Sequence, residues 1–104
     1  ADYCKQNGII LIEDCAHSFG AVLNNKHSGT FGDAGAYSFY ATKAIPAGEG
    51  GVVITKNAQL GGILNNYVKY DRFNQSMNIG VNIRPSEVQA LLIYSVAKFY
   101  LSSL

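Results

Sequence analysis

The 104-residue chain is 48% hydrophobic and only 14% charged, with a formal net charge of +1. That balance fits one buried, globular unit and excludes a solvated, disordered tail, while the mixing of acids and bases leaves no face for DNA, RNA or anionic lipid. The longest apolar run, Ile9 to Ile12, is far too short to cross a membrane, and no basic segment leads into an apolar one near the start.

Ala1 to Asn7 reads as the tail of a helix, because Gly8 supplies the left-handed residue that commonly closes one. That opening register, without an initiator Met, suggests a section of a longer protein. Cys4 and Cys15 are too few for a disulfide framework and are expected to be reduced, partly buried thiols in a cytoplasmic setting. Ile9 to Ile12 forms a continuous apolar stretch of the kind found in a parallel strand covered on both faces, and Glu13 and Asp14 end it. In open α/β sheets ligands bind beyond the carboxyl ends of strands, so Asp14 stands where a functional acid is expected.

From Gly20 to Gly35, glycine, asparagine and short polar residues indicate turns, including a short hairpin around Asn24 and Asn25. A second strand is expected over Ala36 to Tyr40, a loop over Lys43 to Gly51 and a third strand over Val52 to Thr55. Asn57 can cap a helix bearing Leu60, Ile63, Leu64, Tyr67 and Val68, with Gly61 and Gly62 each weakening it by about 1 kcal/mol. Residues 71–83 are polar and irregular. Pro85 suits the first turn of a last helix whose apolar stripe is Val88, Leu91, Leu92, Val96 and Phe99, a stripe that needs a cover.

Three segments bring chemistry. In Ser38-Phe39-Tyr40-Ala41-Thr42-Lys43 a strand delivers a hydroxyl and then a single amine into a loop, ahead of Gly48-Glu49-Gly50-Gly51. An amine must be neutral to attack an aldehyde, which burial or a neighbouring cation promotes; the plainer alternative is a solvated surface lysine. In Glu13-Asp14-Cys15-Ala16-His17 a carboxylate at a strand end is followed by an imidazole, although Asp14 could equally cap a turn and His17 be a satisfied, half-buried histidine. In Gly80-Val81-Asn82-Ile83-Arg84-Pro85 an amide and a guanidinium precede a helix start, a natural place to meet an anion, or else serve as turn and solvated residues.

Taken in this order, the stretches IEDCAHSFGA, GTFGDAGAYSFYATKAIPAGEGGVVIT and GVNIRPSEVQA resemble the motifs of the DegT/DnrJ/StrS sugar aminotransferases, from about Ile9 to Ala90. The resemblance implies an α/β fold: residues 1–104 as part of the large cofactor domain of a fold-type-I pyridoxal-phosphate enzyme, a mixed, mostly parallel sheet with flanking helices. The small domain and an upstream segment would lie outside the chain. It also implies that Lys43 bears the pyridoxal phosphate, Asp14 pairs with the ring nitrogen, His17 lies near the ring and its phenolic oxygen, and Ser38 contacts the phosphate. Asn82, with Arg84, would reach the phosphate of a neighbouring subunit's cofactor in a homodimer or higher homo-oligomer. The implied substrates are an amino acid, glutamate foremost, and a keto-sugar nucleotide, in cell-surface or secondary-metabolite sugar biosynthesis. Related enzymes that dehydrate sugars have His at the Lys43 position, so Lys43 favours transamination.

Competing motifs fare worse. Gly48 to Gly51 lacks the ending of a nucleotide-triphosphate loop, and Cys15, His17 and His27 lack the second ligand pair that zinc requires. Ser38, His17 and Asp14 include the types of a hydrolase triad but no nucleophile elbow. The rival of another class is a truncated, non-catalytic member of the family that folds as an oligomer without chemistry.

Overall fold

The computed structural model describes residues 1–69 and 82–102. A short helix, α1 (Asp2–Gln6), ends at Asn7, and Gly8 at φ +63° turns the chain out of it, as its lack of a Cβ allows. The first strand, β1 (Ile12–Asp14), starts later than the apolar run suggests. Ile9 and Ile10 lie ahead of it, and Ile10 and Ile12 are 76% and 68% exposed. The cover expected on both faces is therefore not supplied by the described residues, and β1 is an edge strand of its sheet.

The hairpin stands where Asn24 and Asn25 place it. β2 (Val22–Leu23) and β3 (Lys26–His27) pair antiparallel across the two asparagines, whose φ values of 50° and 60° match a two-residue turn with both centres left-handed. β4 (Ala34–Ser38) runs parallel to β1, with Asp14 opposite Ala36, and antiparallel to β5 (Gly51–Thr55). The second strand thus begins and ends two residues earlier than the expected Ala36 to Tyr40, and Phe39 and Tyr40 belong to the loop. The sheet order is β1-β4-β5, one parallel and one antiparallel pairing.

Helix α2 (Ala58–Val68) starts as the sequence suggests, with Asn57 accepting through its side-chain oxygen from the amides of Gln59 at 3.0 Å and Leu60 at 3.1 Å. The irregular stretch assigned to 71–83 lies, for 71–81, outside the described residues. The last helix, α3 (Glu87–Ser102), begins beyond Pro85, not with it in the first turn. Ser86 sets the start: its hydroxyl accepts from the Gln89 amide at 3.3 Å, and Gln89 Oε1 accepts from the Ser86 amide at 2.9 Å, a reciprocal capping box.

The stripe expected on α3 is also corrected. Val88, Leu91 and Phe99 are 76%, 66% and 75% exposed. Ile93, Val96 and Ala97 instead pack on a buried cluster of Phe39, Ile45 and Ala47, with Phe19 beside them, and only Val96 belongs to both sets. The helix is apolar on most sides, so helical periodicity admits more than one stripe and tertiary contact selects among them. Tyr100 joins the packed side through an edge-on contact with Phe19 at 5.7 Å.

Candidate functional site

Because β1 and β4 are parallel, their carboxyl ends reach the same edge of the sheet, and the segments that leave them meet there. The chain leaves β1 through a tight turn in which the Ser18 amide donates to the Cys15 carbonyl at 3.2 Å, with Ala16 and His17 at its centre. Cys15 is the buried anchor of this turn, 2% exposed, and its amide donates to the Ala36 carbonyl of β4 at 2.8 Å. Asp14 Oδ1 accepts from the Ala16 amide at 3.0 Å, so this acid does cap the turn.

The chain leaves β4 through a loop that stays closed on itself. Phe39 donates to the Gly50 carbonyl at 2.8 Å, Ala47 to Phe39 at 2.9 Å and Ala41 to Gly48 at 3.1 Å. Gly48 and Gly50 hold φ values of +79° and +139°, which side-chain-bearing residues rarely adopt. Inside the loop, Lys43 donates through its amide to the Tyr40 carbonyl at 2.9 Å, and Ile45, 2% exposed, pins the far side into the core.

These two segments bring Lys43 and His17 together from 26 residues apart: Lys43 Nζ lies 2.8 Å from His17 Nε2. Lys43 is half-buried and His17 exposed. A hollow of about 80 Å³ surrounds the pair, lined by Ala16, His17, Phe19, Ser38, Thr42 and Lys43 with Ala44. Ser38 Oγ accepts from the Tyr40 amide at 3.2 Å, which leaves its own proton available to an anion. An amine beside an imidazole nitrogen, with two hydroxyls on the wall, can hold or pass a proton at Nζ.

Asp14 does not line that hollow but stands at the neighbouring strand end. Its register partner Ala36 lies two residues before Ser38, so the pleat puts Asp14, Ala36 and Ser38 on one face. Asn82 and Arg84 lie elsewhere, on the approach to α3, where their neighbours Ile83 and Pro85 line a separate groove. That groove is much larger, about 610 Å³, and runs between α2 and the β4–β5 face, but its walls are mainly apolar and bring no set of titratable groups together. Size alone would point there, but Lys43 and His17 meet at the smaller hollow. Among the described residues no three His, Cys, Asp or Glu side chains gather as a metal set, and no helix is long and apolar enough to cross a membrane.

One residue of this region escaped sequence reasoning. Strand alternation turns Glu13 to the face opposite Asp14, where the backbone of 29–32 wraps its carboxylate. Oε2 accepts from the Gly29 amide, and Oε1 from the amides of Phe31 and Gly32, all at 2.7 Å. Burial raises the pKa of Glu13, but the Gly32, Gly29 and Phe31 amides outweigh it and hold the carboxyl below its usual 4.5. The glycines permit this approach: a Cβ on Gly32 would sit 2.4 Å from the Leu11 carbonyl oxygen. A sequence signal existed, since a segment as rich in glycine as Gly29 to Gly35 exposes amides that need an acceptor.

Residues 1–98 match the family model of the DegT/DnrJ/EryC1/StrS aminotransferases. The chain is 36% identical over 93 residues to a UDP-N-acetyl-3-dehydro-alpha-D-glucosamine 3-aminotransferase of Acidithiobacillus ferrooxidans, covering 86% of this chain and 25% of that protein. It is 46% identical over 56 residues to the GDP-perosamine synthase of Vibrio cholerae, covering 54% of this chain and 15% of that protein. Among solved structures, Helicobacter pylori PseC, an aminotransferase involved in the biosynthesis of pseudoaminic acid, superposes with a TM-score of 0.87 at 30% identity, over 97% of this chain and 29% of that one. The chain therefore spans a quarter or less of the length of these two curated relatives. These likenesses bear out both the family resemblance and the α/β fold expected from it.

Proposed function

The chain belongs to the DegT/DnrJ/EryC1/StrS aminotransferase family, and from that premise we propose that it forms the cofactor-holding part of a pyridoxal-phosphate-dependent sugar aminotransferase. The observation that supports this most is the 2.8 Å approach of Lys43 Nζ to His17 Nε2 at the carboxyl edge of β1 and β4. The donor set suits the cofactor: an amine for its aldehyde, hydroxyls for its phosphate, and an acid at the adjoining strand end for its ring nitrogen. When bound, pyridoxal phosphate supplies an aldehyde that condenses with amines and a ring that withdraws electrons from the substrate carbon.

The chain's own residues divide the remaining work. Lys43 would hold the cofactor and would move a proton on and off the substrate carbon through Nζ. His17 Nε2 would orient that amine and take up the proton that its ammonium form has to lose before it can act as a nucleophile. The Asp14 carboxylate keeps a proton on the ring nitrogen, and the Ser38 hydroxyl donates to the phosphate. Asn82, with Arg84, reaches the phosphate in a neighbouring subunit of a homodimer. The amino group comes from an amino acid, glutamate foremost, and goes to a keto-sugar nucleotide.

Incubation of the protein that contains this chain with pyridoxal phosphate, borohydride reduction and peptide mapping tests the assignment. The pyridoxyl label is expected on Lys43, and label confined to any other lysine overturns it.

A further inference from the structure

A line of contacts joins the Glu13 carboxylate, on one face of the sheet, to the turn that presents His17. Glu13 grips three amides of the 29–32 backbone. The residue just ahead of that grip, Ser28, then holds the end of the His17 turn through its hydroxyl, which donates to the Ser18 carbonyl at 2.6 Å, while its amide donates to the Ala21 carbonyl beyond that turn at 2.9 Å. Ser28 is itself fixed from the sheet, since Tyr37 donates its phenolic hydroxyl to the Ser28 carbonyl. Ser18 directly follows His17, so a bond to its carbonyl restrains the backbone next to the residue that carries the imidazole.

We propose that Glu13 is a positioning residue for the His17 imidazole and the Lys43 amine, acting through the 28–32 turn. Three charge-assisted bonds to one carboxylate are stronger than the same bonds to a neutral acceptor and fix a loop that glycine would otherwise leave free. The loop also lies close against the sheet: a Cβ on Gly35 would lie 2.4 Å from the Gly29 Cα, and one on Gly29 would lie 2.6 Å from the Tyr37 hydroxyl. Phe19, edge-on to Tyr37 at 5.6 Å, anchors the far end of the turn, leaving the His17 to Ser18 step to Ser28. Glu13 touches neither reacting group. Its effect is on where they stand.

The variant Glu13→Gln keeps the side chain's shape but turns an N–H donor toward amides that are donors themselves. In cofactor-free protein containing this chain, with ¹³C-labelled histidine, the His17 ring signal, identified by its loss in His17→Gln, is expected to move. The rate of reductive pyridoxyl labelling at Lys43 is expected to fall roughly 10- to 100-fold, the scale of a misplaced reacting group. Ser28→Ala removes the hydroxyl link alone and is expected to shift the same His17 signal with a smaller loss of thermal stability. It decides the matter should Glu13→Gln fail to fold. An unmoved His17 signal in the folded variants overturns the proposal, whatever the melting temperature does. Only the labelling measurement rests on the aminotransferase reading. Parent protein that fails to label at Lys43 sinks that reading, and a His17 signal that moves in the variants still upholds the positioning role.

Discussion

Adding one methyl group at either of two glycines should change stability in opposite directions. Gly35 lies within β4, and an added Cβ there would stand 2.4, 2.7 and 3.0 Å from the Cα, carbonyl oxygen and carbonyl carbon of Gly29. All three atoms are backbone, so no side chain can swing aside. Overpacking of this kind costs about 1–3 kcal/mol. The Gly29 amide also donates to the Glu13 carboxylate at 2.7 Å, and displacing a hydrogen bond to a charged group costs about 1.5–3 kcal/mol more. Gly62 lies inside α2, and a Cβ there meets nothing within 4 Å. Replacing it with alanine removes backbone freedom from the unfolded chain and should stabilise by about 1 kcal/mol. Gly35→Ala and Gly62→Ala should therefore differ by about 5 kcal/mol, read from urea unfolding followed by circular dichroism at constant m-value. Shifts of the same sign, or a Gly35→Ala variant within about 0.5 kcal/mol of the parent, would refute this account of the close approach.

Other expectations follow from the same contacts. Ile45→Ala should cost about 2–5 kcal/mol by opening a cavity beneath the Lys43 loop, since Ile45 is 2% exposed, and chemical denaturation measures it. Glu13, held below 4.5 in the folded chain, contributes stability that is fully present above 4.5. As pH falls through that value the unfolded chain takes up the proton first, and the contribution is gone once the folded carboxyl is protonated too. Unfolding free energies across that interval should slope with pH in the parent and lose this part of the slope in Glu13→Gln. If the protein containing this chain is the proposed aminotransferase, Lys43→Ala should abolish the pyridoxyl label and lower turnover by at least about 100-fold, the usual scale for a lost acid-base group. Asp14→Ala should keep the label and lose most turnover, seen as slowed single-turnover kinetics; unchanged kinetics would count against its role at the ring nitrogen.

Local signals were legible wherever the physics was local. Asn24 and Asn25 tolerate left-handed backbone, Asn57 offers a carboxamide oxygen to the first amides of α2, and Gly8 turns the chain out of α1; each acts within a few residues of itself. The motif order IEDCAHSFGA, YSFYATK and NIRPSEVQA was likewise enough to indicate the family. The strand boundaries slipped because they depend on register with a partner: β4 ends at Ser38, where its pairing with Gly51 stops, and Phe39 passes into the core instead.

The face of α3 and the role of Glu13 were beyond the reach of local reading. A helix apolar on most sides contains several equivalent stripes, and only the shape of the Phe39, Ile45 and Ala47 cluster singles out Ile93, Val96 and Ala97. Neighbours in the chain, Glu13 and Asp14 differ only in which side of the pleat they occupy, and that side decides whether the acid meets a wrapped loop or the edge where Lys43 and His17 converge. Sequence by itself determined which elements form and which chemical groups are present, because those depend on neighbours along the chain. The tertiary structure decided which of those groups meet, because a 2.8 Å contact between residues 26 apart exists only once two parallel strands have aligned their ends.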